Sequence, residues 1–340
     1  MARGHEVTIF CRSREGDFPD LTIIELPNIA LTNHGRNIRF ARHLSAAVKD
    51  RFDVVAGFNK MPGLDILYCA DPPAKPPRTL FDRINPRVVG MHRLESSCFG
   101  PQSDTHLLLL ADPQREDYDR IWSMKASRVA VMPPTIERGR AQPGLRGSEA
   151  RAEMRAQLGL PSSTLTWLFV AGFPETKGFD RIVTALPAFP HAKLLCVGFD
   201  LADPNLSRQA RQAAHLEVEQ QIISLGRRED IPALMAAADL LVHPSRLDIT
   251  GTVILEAMVN GLPVITTALC GYAPHVAAAG AGVVMPEPFA QRAFAAALEQ
   301  ANDAARRASW SANAAGYGAS HDLYSGLDRA ADAIERAAHT

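Results

Sequence analysis

The chain has 340 residues, 46% of them hydrophobic, so it is long and apolar enough to form two hydrophobic cores. Its formal net charge is −1, which argues against a nucleic-acid-binding protein. No apolar run reaches the ~20 residues of a membrane span, so any membrane contact is expected to be peripheral. The cysteines include no C-x-x-C pair, which favours a cytosolic protein without a disulfide framework or zinc site: Cys11, Cys69, Cys98, Cys196 and Cys270.

Strand-like and helix-like patterns alternate along the whole chain. In the first half a helix is predicted at 36–49, and strands are predicted at 7–11, 21–26, 54–58, 66–70, 107–110 and 128–132. Prolines and glycines between 133 and 147 indicate a linker. In the second half a helix is predicted at 148–158, and strands are predicted at 167–171, 194–197, 221–225, 240–242 and 264–267. This alternation predicts an α/β protein with doubly wound parallel sheets, which bind ligands at the carboxyl ends of their strands.

The first domain is expected to be incomplete at its amino-terminal end. Residues 1–10 read as the end of a helix, a glycine turn and a strand. A doubly wound domain has a strand and most of a helix before such a point. On the length of one α/β repeat, roughly 25 to 30 residues are expected to precede this sequence.

The segment 238–270 carries the strongest functional signal. It predicts a strand at 240–242, a polar loop at 248–251, a helix at 252–259 and a further strand at 264–267. The first amides of that helix form an anion site, because they lack hydrogen-bond partners and the helix dipole is positive there. Two carboxylates, Asp248 and Glu256, flank this site eight positions apart.

The spacing D-x7-E resembles the E-x7-E signature of family 4 retaining glycosyltransferases, with Asp248 in place of the first glutamate. Four further runs resemble the members that glucosylate the lipopolysaccharide core: T-N-H-G-R-N (32–37), G-F-N-K-M-P-G-L-D (57–65), L-M-A-A-A-D-L-L (234–241) and T-T-A-L-C-G-Y-A (266–273). The resemblance implies the GT-B fold, in which two Rossmann-like domains face each other across a cleft. An acceptor domain is expected at 1–140, a nucleotide-sugar domain at 141–318, and a C-terminal helix at 319–340 that packs back on the first domain.

The resemblance further implies a metal-independent transfer of glucose from UDP-glucose to a heptose of the lipopolysaccharide inner core, with no cofactor. The enzyme would work at the cytoplasmic face of the inner membrane. Two alternatives stay open. One is a related transferase with another nucleotide sugar or acceptor, and the other is a degenerate, non-catalytic nucleotide-sugar binder.

The donor residues follow from the same resemblance. Lys177 is placed like the lysine that pairs with the nucleotide diphosphate, although a lone loop lysine is more often simply solvated. The arginine that often precedes this lysine is replaced by Thr176, so diphosphate binding is expected either to be weaker or to be completed by Arg181 or Arg227. Ribose is expected on Glu256, glucose at Asp248, uracil near Arg227, and phosphate on the loop Thr250, Gly251 and Thr252.

In the first domain, Asp71 ends a predicted strand and precedes two prolines. The resemblance places it facing the anomeric centre, as a catalytic residue alongside Lys177 and Asp248, whereas an ordinary turn aspartate is nearly as good an interpretation. The acceptor is expected to contact residues of the two most specific runs: Asn33, His34, Arg36, Asn59 and Lys60.

Three remaining patterns carry weaker signals. Residues 75–93 are basic and partly apolar, which suits contact with an anionic membrane surface, although prolines interrupt any long helix. Asp117 and Asp119 form a D-x-D motif, but they lie in a charged run typical of a solvated helix, so no metal is predicted. The glycines at 280 and 282 lack the rest of a dinucleotide fingerprint, which argues against an NAD enzyme.

Overall fold

The computed structural model describes residues 3–27 and 29–338. The chain divides into two compact units, of which the first comprises Met1–Met132 with Asp328–Thr340 and the second comprises Pro133–Leu327. The chain therefore passes between the units near the boundaries expected from the sequence, residues 140 and 318, but not at them.

The first unit contains two parallel sheets. Strands β1 (Thr8–Cys11) and β2 (Thr22–Glu25) form one pair. The other sheet has the order β3-β4-β5-β6, formed by Ala56–Gly57, Ile66–Cys69, His106–Leu109 and Val129–Val131. The helices of this unit are α1 (Asn33–Val48), α2 (Leu80–Ile84), α3 (Pro86–Phe99) and α4 (Asp112–Asp119). The core of this unit includes Leu67, Leu107, Leu109, Phe99 and Tyr118.

Helix α1 begins three residues earlier than predicted. The side chain of Thr32 accepts a hydrogen bond from the amide of Gly35 and so caps the first turn. A threonine cap satisfies an amide that would otherwise lack a partner, which stabilises this earlier start. The predicted acceptor residues Asn33, His34 and Arg36 consequently lie in the first turn of a helix.

The second unit contains one sheet of six parallel strands in the order β12-β11-β10-β7-β8-β9. The strands are β7 (Thr166–Val170), β8 (Lys193–Val197), β9 (Ile222–Ser224), β10 (Leu240–His243), β11 (Val264–Thr267) and β12 (Gly282–Met285). Read from the opposite edge and renumbered along the chain, this is the order 3-2-1-4-5-6 of a Rossmann sheet, whose strand order reverses between its first and fourth strands. The reversal lies between β7 and β10, which pair directly.

Helices cover this sheet, and a final helix returns to the first unit. The helices are α5 (Glu149–Gln157), α6 (Phe179–Ala185), α7 (Ser207–His215), α8 (Ile231–Ala237), α9 (Thr252–Val259), α10 (Ala273–Ala279), α11 (Gln291–Gln300), α12 (Ala304–Ser320) and α13 (Gly326–Ala337). Ala330 of α13 packs with Ile66, Leu108 and Met132 of the first unit. Among the described residues, no helix combines the length and the apolar character needed to cross a membrane.

Strand β12 is absent from the sequence prediction. Its Val-Val-Met run is short and follows Gly282, which a sequence pattern reads as a turn. A Cβ at Gly282 would lie 1.8 Å from the carbonyl oxygen of Val264, so the glycine permits the close approach of β12 to β11. The parallel α/β architecture predicted from the sequence is confirmed in both units.

Candidate active site

A cleft of about 350 Å³ opens at the carboxyl ends of β7, β8 and β10. This is the reversal point of the sheet, where two loops diverge and Rossmann folds bind their ligands. Six of the predicted site residues line it together: Lys177, Arg227, Asp248, Thr250, Thr252 and Glu256. Gly251 lies between two of them in the chain, at the start of α9.

Three donor groups contact the carboxylate of Asp248. The amide of Gly251 donates to Oδ1 at 2.9 Å, and His243 Nε2 lies 2.9 Å from Oδ2. Lys177 Nζ lies 2.7 Å from the same Oδ2. Burial alone would raise the pKa of Asp248, but the contacts with His243 and Lys177 outweigh burial and lower it to about 2. Asp248 is therefore ionised at neutral pH.

His243 is the last residue of β10, and its side chain is only 1% exposed. Because an ionised carboxylate only accepts hydrogen bonds, the Nε2 atom of His243 carries the proton shared with Asp248. Burial alone would lower the pKa of His243, but Asp248 and the neighbouring Cys270 raise it to about 9. Sequence analysis missed this residue, and the only signal was its position five residues before Asp248 at a strand end.

The loop that carries Lys177 is tied to the loop after β10. Gly178 has a φ of 83°, and a Cβ on it would lie 2.1 Å from the carbonyl oxygen of Pro244. Only glycine allows this approach, which brings the two loops together. Lys177 Nζ also donates to the carbonyl of Leu247 at 3.3 Å. The lysine is thus held at the wall of the cleft, with its side chain 21% exposed.

Helix α9 points its amino-terminal end into the cleft. Its N-cap is Gly251, with a φ of 75°, and no side chain of the described residues caps this end. Thr252 at the first helical position lines the cleft, so the first-turn amides can receive an anion. Glu256 follows in the second turn. Burial raises its pKa, and this effect outweighs the opposing charge of Arg140.

Arg181 does not line the cleft, contrary to its predicted place beside a diphosphate. Its guanidinium donates to the carbonyl of Pro244 at 2.9 Å and lies 3.8 Å from the centre of the Phe289 ring. Arg181 lies in the first turn of α6, four positions after Lys177, and its contacts join that helix to its neighbours. Arg227 lines the cleft, as does Arg140, which the sequence analysis did not single out.

In the first unit, Lys60 was predicted to contact the acceptor, but its side chain is not available for this contact. Its ammonium lies 2.6 Å from Glu95 and donates to the carbonyl of Pro72 at 2.7 Å. The lysine and glutamate side chains are 8% and 0% exposed, so this is a buried ion pair. Lys60 supports the loop after β4 instead of facing solvent.

The same loop carries Asp71, whose backbone carbonyl accepts hydrogen bonds from Gln114 Nε2 and the Tyr118 hydroxyl, both at 3.1 Å. Asp71 itself is exposed, and so is Asn59. A rigid backbone therefore presents the Asp71 residue at the carboxyl end of β4.

The three acceptor residues of α1 differ in their local contacts. Asn33 and Arg36 are exposed, and His34 is partly buried. The Arg36 side chain donates to the carbonyl of Ala30 at 3.2 Å, and His34 Nε2 lies 3.3 Å from the Thr32 hydroxyl. These bonds order the start of α1.

Two groups of side chains bear on metal binding. Donor atoms of His243, Asp248 and Cys270 lie within 4.8 Å of one another, which is close enough to share an ion. The ammonium of Lys177 already neutralises Asp248 and would repel a cation, so we assign no metal there. Asp117 and Asp119 of the D-x-D motif pair with arginines of the same charged run.

Comparisons with known proteins identify the family and the fold. Residues 150–316 match the family described as glycosyl transferases group 1. The chain is 34% identical to the lipopolysaccharide glucosyltransferase WaaG of Escherichia coli K12, over 98% of this chain and 91% of that protein. A crystal structure of WaaG matches with a TM-score of 0.87 at 34% identity, over 98% of this chain and 92% of that one, which confirms the predicted GT-B fold. Anabaena HepE in complex with UDP-glucose matches in fold, with a TM-score of 0.69 at 17% identity, over 93% of this chain and 86% of that one.

Proposed function

Since the chain belongs to the glycosyl transferases group 1 family, we propose that it transfers glucose from UDP-glucose to a heptose of the lipopolysaccharide inner core, with retention of configuration. The enzyme class follows from the family. The choice of glucose and of a lipopolysaccharide acceptor is supported by the 34% identity to a lipopolysaccharide glucosyltransferase over nearly the whole chain. A further relative, named as a lipopolysaccharide core biosynthesis glycosyltransferase of Rhizobium meliloti, is 30% identical over a third of the chain.

The main support for the proposed donor site is that six of the predicted residues line one cleft at the reversal point of the second sheet. In the proposed complex the diphosphate lies on Lys177 and the first amides of α9. The ribose hydroxyls are bound by Glu256, the uracil lies near Arg227, and the glucose hydroxyls reach Asp248. Each of these groups has the charge or hydrogen-bonding capacity that its proposed partner requires.

The chemistry depends on charge stabilisation. The bond between the anomeric carbon and the UDP oxygen breaks, and a bond to the heptose oxygen forms on the same face of the sugar. The proton of the heptose hydroxyl passes to the leaving phosphate. Lys177 and the α9 amides would stabilise the growing negative charge on UDP, an effect worth several kcal/mol in a water-poor site. Asp71 is proposed to stabilise the positive charge that develops on the sugar.

Contact with the cytoplasmic face of the inner membrane is proposed for residues 75–93. Helices α2 and α3 meet at Asn85–Pro86, and Leu80 and Phe81 are 79% and 80% exposed. Arginines 78, 83 and 87 flank these apolar side chains. An exposed apolar pair surrounded by cationic groups is suited to an anionic bilayer surface.

Sedimentation with phospholipid vesicles tests this contact. The protein should bind vesicles that contain phosphatidylglycerol and should bind neutral vesicles weakly. Leu80→Ser with Phe81→Ser should reduce binding, whereas Phe173→Ser, at an equally exposed aromatic of the second unit, should leave it unchanged. Equal binding by both variants would contradict the proposed surface.

Calorimetric titration of UDP tests the donor site, with GDP as the control nucleotide. We expect micromolar UDP binding that is lost in Glu256→Ala and kept in Glu153→Ala, which removes an exposed carboxylate from α5. Failure of the wild-type protein to bind UDP, or unchanged binding by Glu256→Ala, would overturn the proposed site.

Transfer assays with core lipopolysaccharide then test the reaction. UDP-glucose should be used in preference to UDP-galactose, the product should have the α configuration of the donor, and chelation of metal ions should leave the rate unchanged. Equal use of both sugars would favour a related transferase. UDP binding without turnover would favour the non-catalytic binder.

A further inference from the structure

We propose that His243 is a positioning residue that holds the Asp248 carboxylate in place while Lys177 leaves it to bind the diphosphate of the donor. The inference deepens the proposed function and rests on it for the identity of the donor. It assigns a role to a buried histidine that neither the sequence motif nor the proposed chemistry uses.

In the structure, Lys177 is already paired with Asp248. Its ammonium lies 2.7 Å from Asp248 Oδ2, at the wall of the cleft. An ammonium on a flexible side chain can change partners, because it bonds as a point charge with three rotatable donors. If a diphosphate takes Lys177, the Asp248 carboxylate loses its nearest cation. That carboxylate is only 13% exposed, so leaving it without compensation would be costly.

His243 supplies the compensation. Its Nε2 lies 2.9 Å from the oxygen that Lys177 contacts, and the Gly251 amide donates to the other oxygen at 2.9 Å. A carboxylate offers about four acceptor positions, so His243 and Lys177 can bind Oδ2 together and His243 can remain when Lys177 leaves. The two bonds that persist fix the carboxylate in the orientation proposed to meet the glucose hydroxyls.

The histidine is enclosed, whereas the lysine borders the cleft. Its side chain is 1% exposed, and its backbone carbonyl accepts a hydrogen bond from the Thr266 hydroxyl of the neighbouring strand at 3.0 Å. The charged or titratable groups that meet His243 are Asp248 from the following loop and Cys270 from the loop after β11. An enclosed donor on one side of the carboxylate and a cation that borders the cleft on the other allow the cation to be exchanged without moving the carboxylate.

The aspartate in place of glutamate is consistent with this arrangement. Asp248 also donates and accepts backbone bonds: its amide donates to the Leu269 carbonyl, and its carbonyl accepts from the Gly271 amide. With the backbone fixed in this way, a side chain one methylene shorter stays within reach of both His243 and Gly251. The aspartate that departs from the family signature is thus a carboxylate whose position is set by His243 and the Gly251 amide.

A double-mutant cycle between His243 and Asp248, read out as UDP affinity by calorimetry, tests the proposal. His243→Met removes the donor, His243→Gln keeps a donor nitrogen near the position of Nε2, and Asp248→Asn removes the charge. UDP has no sugar to contact Asp248, so its affinity reports the release of Lys177 alone. We expect His243→Met to weaken UDP binding about tenfold and His243→Gln by less than about threefold.

The decisive comparison is His243→Met in the Asp248→Asn background. In that background there is no Asp248 charge for the histidine to stabilise when Lys177 leaves. Loss of the histidine should therefore change UDP affinity less than about twofold. A histidine needed only for packing would weaken binding equally in both backgrounds, and that result would overturn the proposal. Thermal unfolding of each variant establishes that it is folded.

Nuclear magnetic resonance of nitrogen-labelled histidine provides a second measurement that does not depend on the Met variant. The Nε2 proton of His243 should be protected in the free protein, should remain so at saturating UDP and should be lost in Asp248→Ala, which removes the acceptor. Loss of the signal on UDP binding would contradict the proposal. If the wild-type protein does not bind UDP, the proposed function fails, whereas an unchanged His243 signal in free Asp248→Ala disposes of the positioning role itself.

Discussion

Two lysines of this chain contact carboxylates at almost the same distance but in different surroundings. Lys60 and Glu95 of the first unit are 2.6 Å apart, with side chains 8% and 0% exposed. Lys177 and Asp248 of the second unit are 2.7 Å apart, with side chains 21% and 13% exposed at the wall of a cleft. The first pair is enclosed and also holds a loop through Pro72, so it supports the fold. The second pair borders open space, so a ligand can reach its lysine.

The comparison shows that geometry within a pair does not reveal its role. Both lysines satisfy the same contact, and both carboxylates accept further bonds from neighbouring donors. What differs is whether an incoming anion can compete for the ammonium. A buried ion pair resists exchange because either partner left alone would be an uncompensated charge.

The largest expected effect is on the enclosed pair. Lys60→Met should lower the free energy of unfolding by about 3–5 kcal/mol, because Glu95 would remain buried without its cation. Urea unfolding followed by circular dichroism measures the change. Lys177→Met should cost less than half as much, since Asp248 is partly exposed at the cleft whereas Glu95 is fully buried. Equal losses would mean that the two pairs do not differ in the way we describe.

Gly178→Ala should disturb the exchangeable pair through its loop. The glycine has a positive φ, and an added Cβ would meet the Pro244 carbonyl, so we expect a loss of about 1–3 kcal/mol in stability together with weaker UDP binding. Gly144→Ala is the matched control, because a Cβ there meets nothing within 4 Å. Normal UDP affinity in Gly178→Ala would show that the loop contact does not position Lys177.

Lys177→Met should weaken UDP binding about 10- to 100-fold, the range expected for one hydrogen bond to a charged group. Lys193→Met is the control, because Lys193 is a surface lysine at the start of β8 that bonds the Gln220 carbonyl. Calorimetry at constant ionic strength measures both. An unchanged affinity in Lys177→Met would place the diphosphate elsewhere.

The smallest effect is a pH dependence at Glu256. Burial raises the pKa of this carboxyl, with Arg140 opposing and Glu137 reinforcing the shift. In the proposed complex the ionised form accepts both ribose hydroxyls, so UDP affinity should fall by less than about tenfold as the pH drops through that raised pKa. Glu256→Gln removes this dependence but keeps the titration of UDP itself, so the difference between the two profiles isolates Glu256. Parallel profiles would exclude its role.

The same raised pKa has an opposite consequence for stability. A carboxyl whose pKa is higher in the folded than in the unfolded state destabilises the fold above that pKa, where its charge is buried. Glu256→Gln should therefore raise the midpoint of urea unfolding at neutral pH while it weakens UDP binding. Such opposed effects are expected of a residue kept for ligand binding.

Much of the fold was predictable because its signals are local. Five strands of the six-stranded sheet were predicted within about two residues of their ends, since buried parallel strands are short apolar runs bounded by polar loops. The start of α1 was missed by three residues because Thr32 caps it. Strand β12 was missed because a glycine at its first position hides a run of three apolar residues.

The candidate site was predictable only in part. The D-x7-E spacing, together with the resemblance it carries, located Asp248, Glu256 and the start of α9, which the structure brings into one cleft with Lys177. Arg181 and Lys60 were placed by type and position, and the structure shows both engaged elsewhere. His243 was passed over because a histidine within an apolar strand end carries no pattern of its own.

The sequence alone determined the α/β class, the family and the loop that carries the site, because periodicity, turn residues and motif spacing are properties of neighbouring residues. Only the tertiary structure decided which cation meets which carboxylate. Lys60 and Glu95 are 35 positions apart, and Lys177 and Asp248 are 71 apart, so their pairing depends on strand order and loop approach. Tertiary packing also decided that one pair is enclosed while the other borders a cleft, and this difference in access to solvent separates a lysine that supports the fold from one that can bind a ligand.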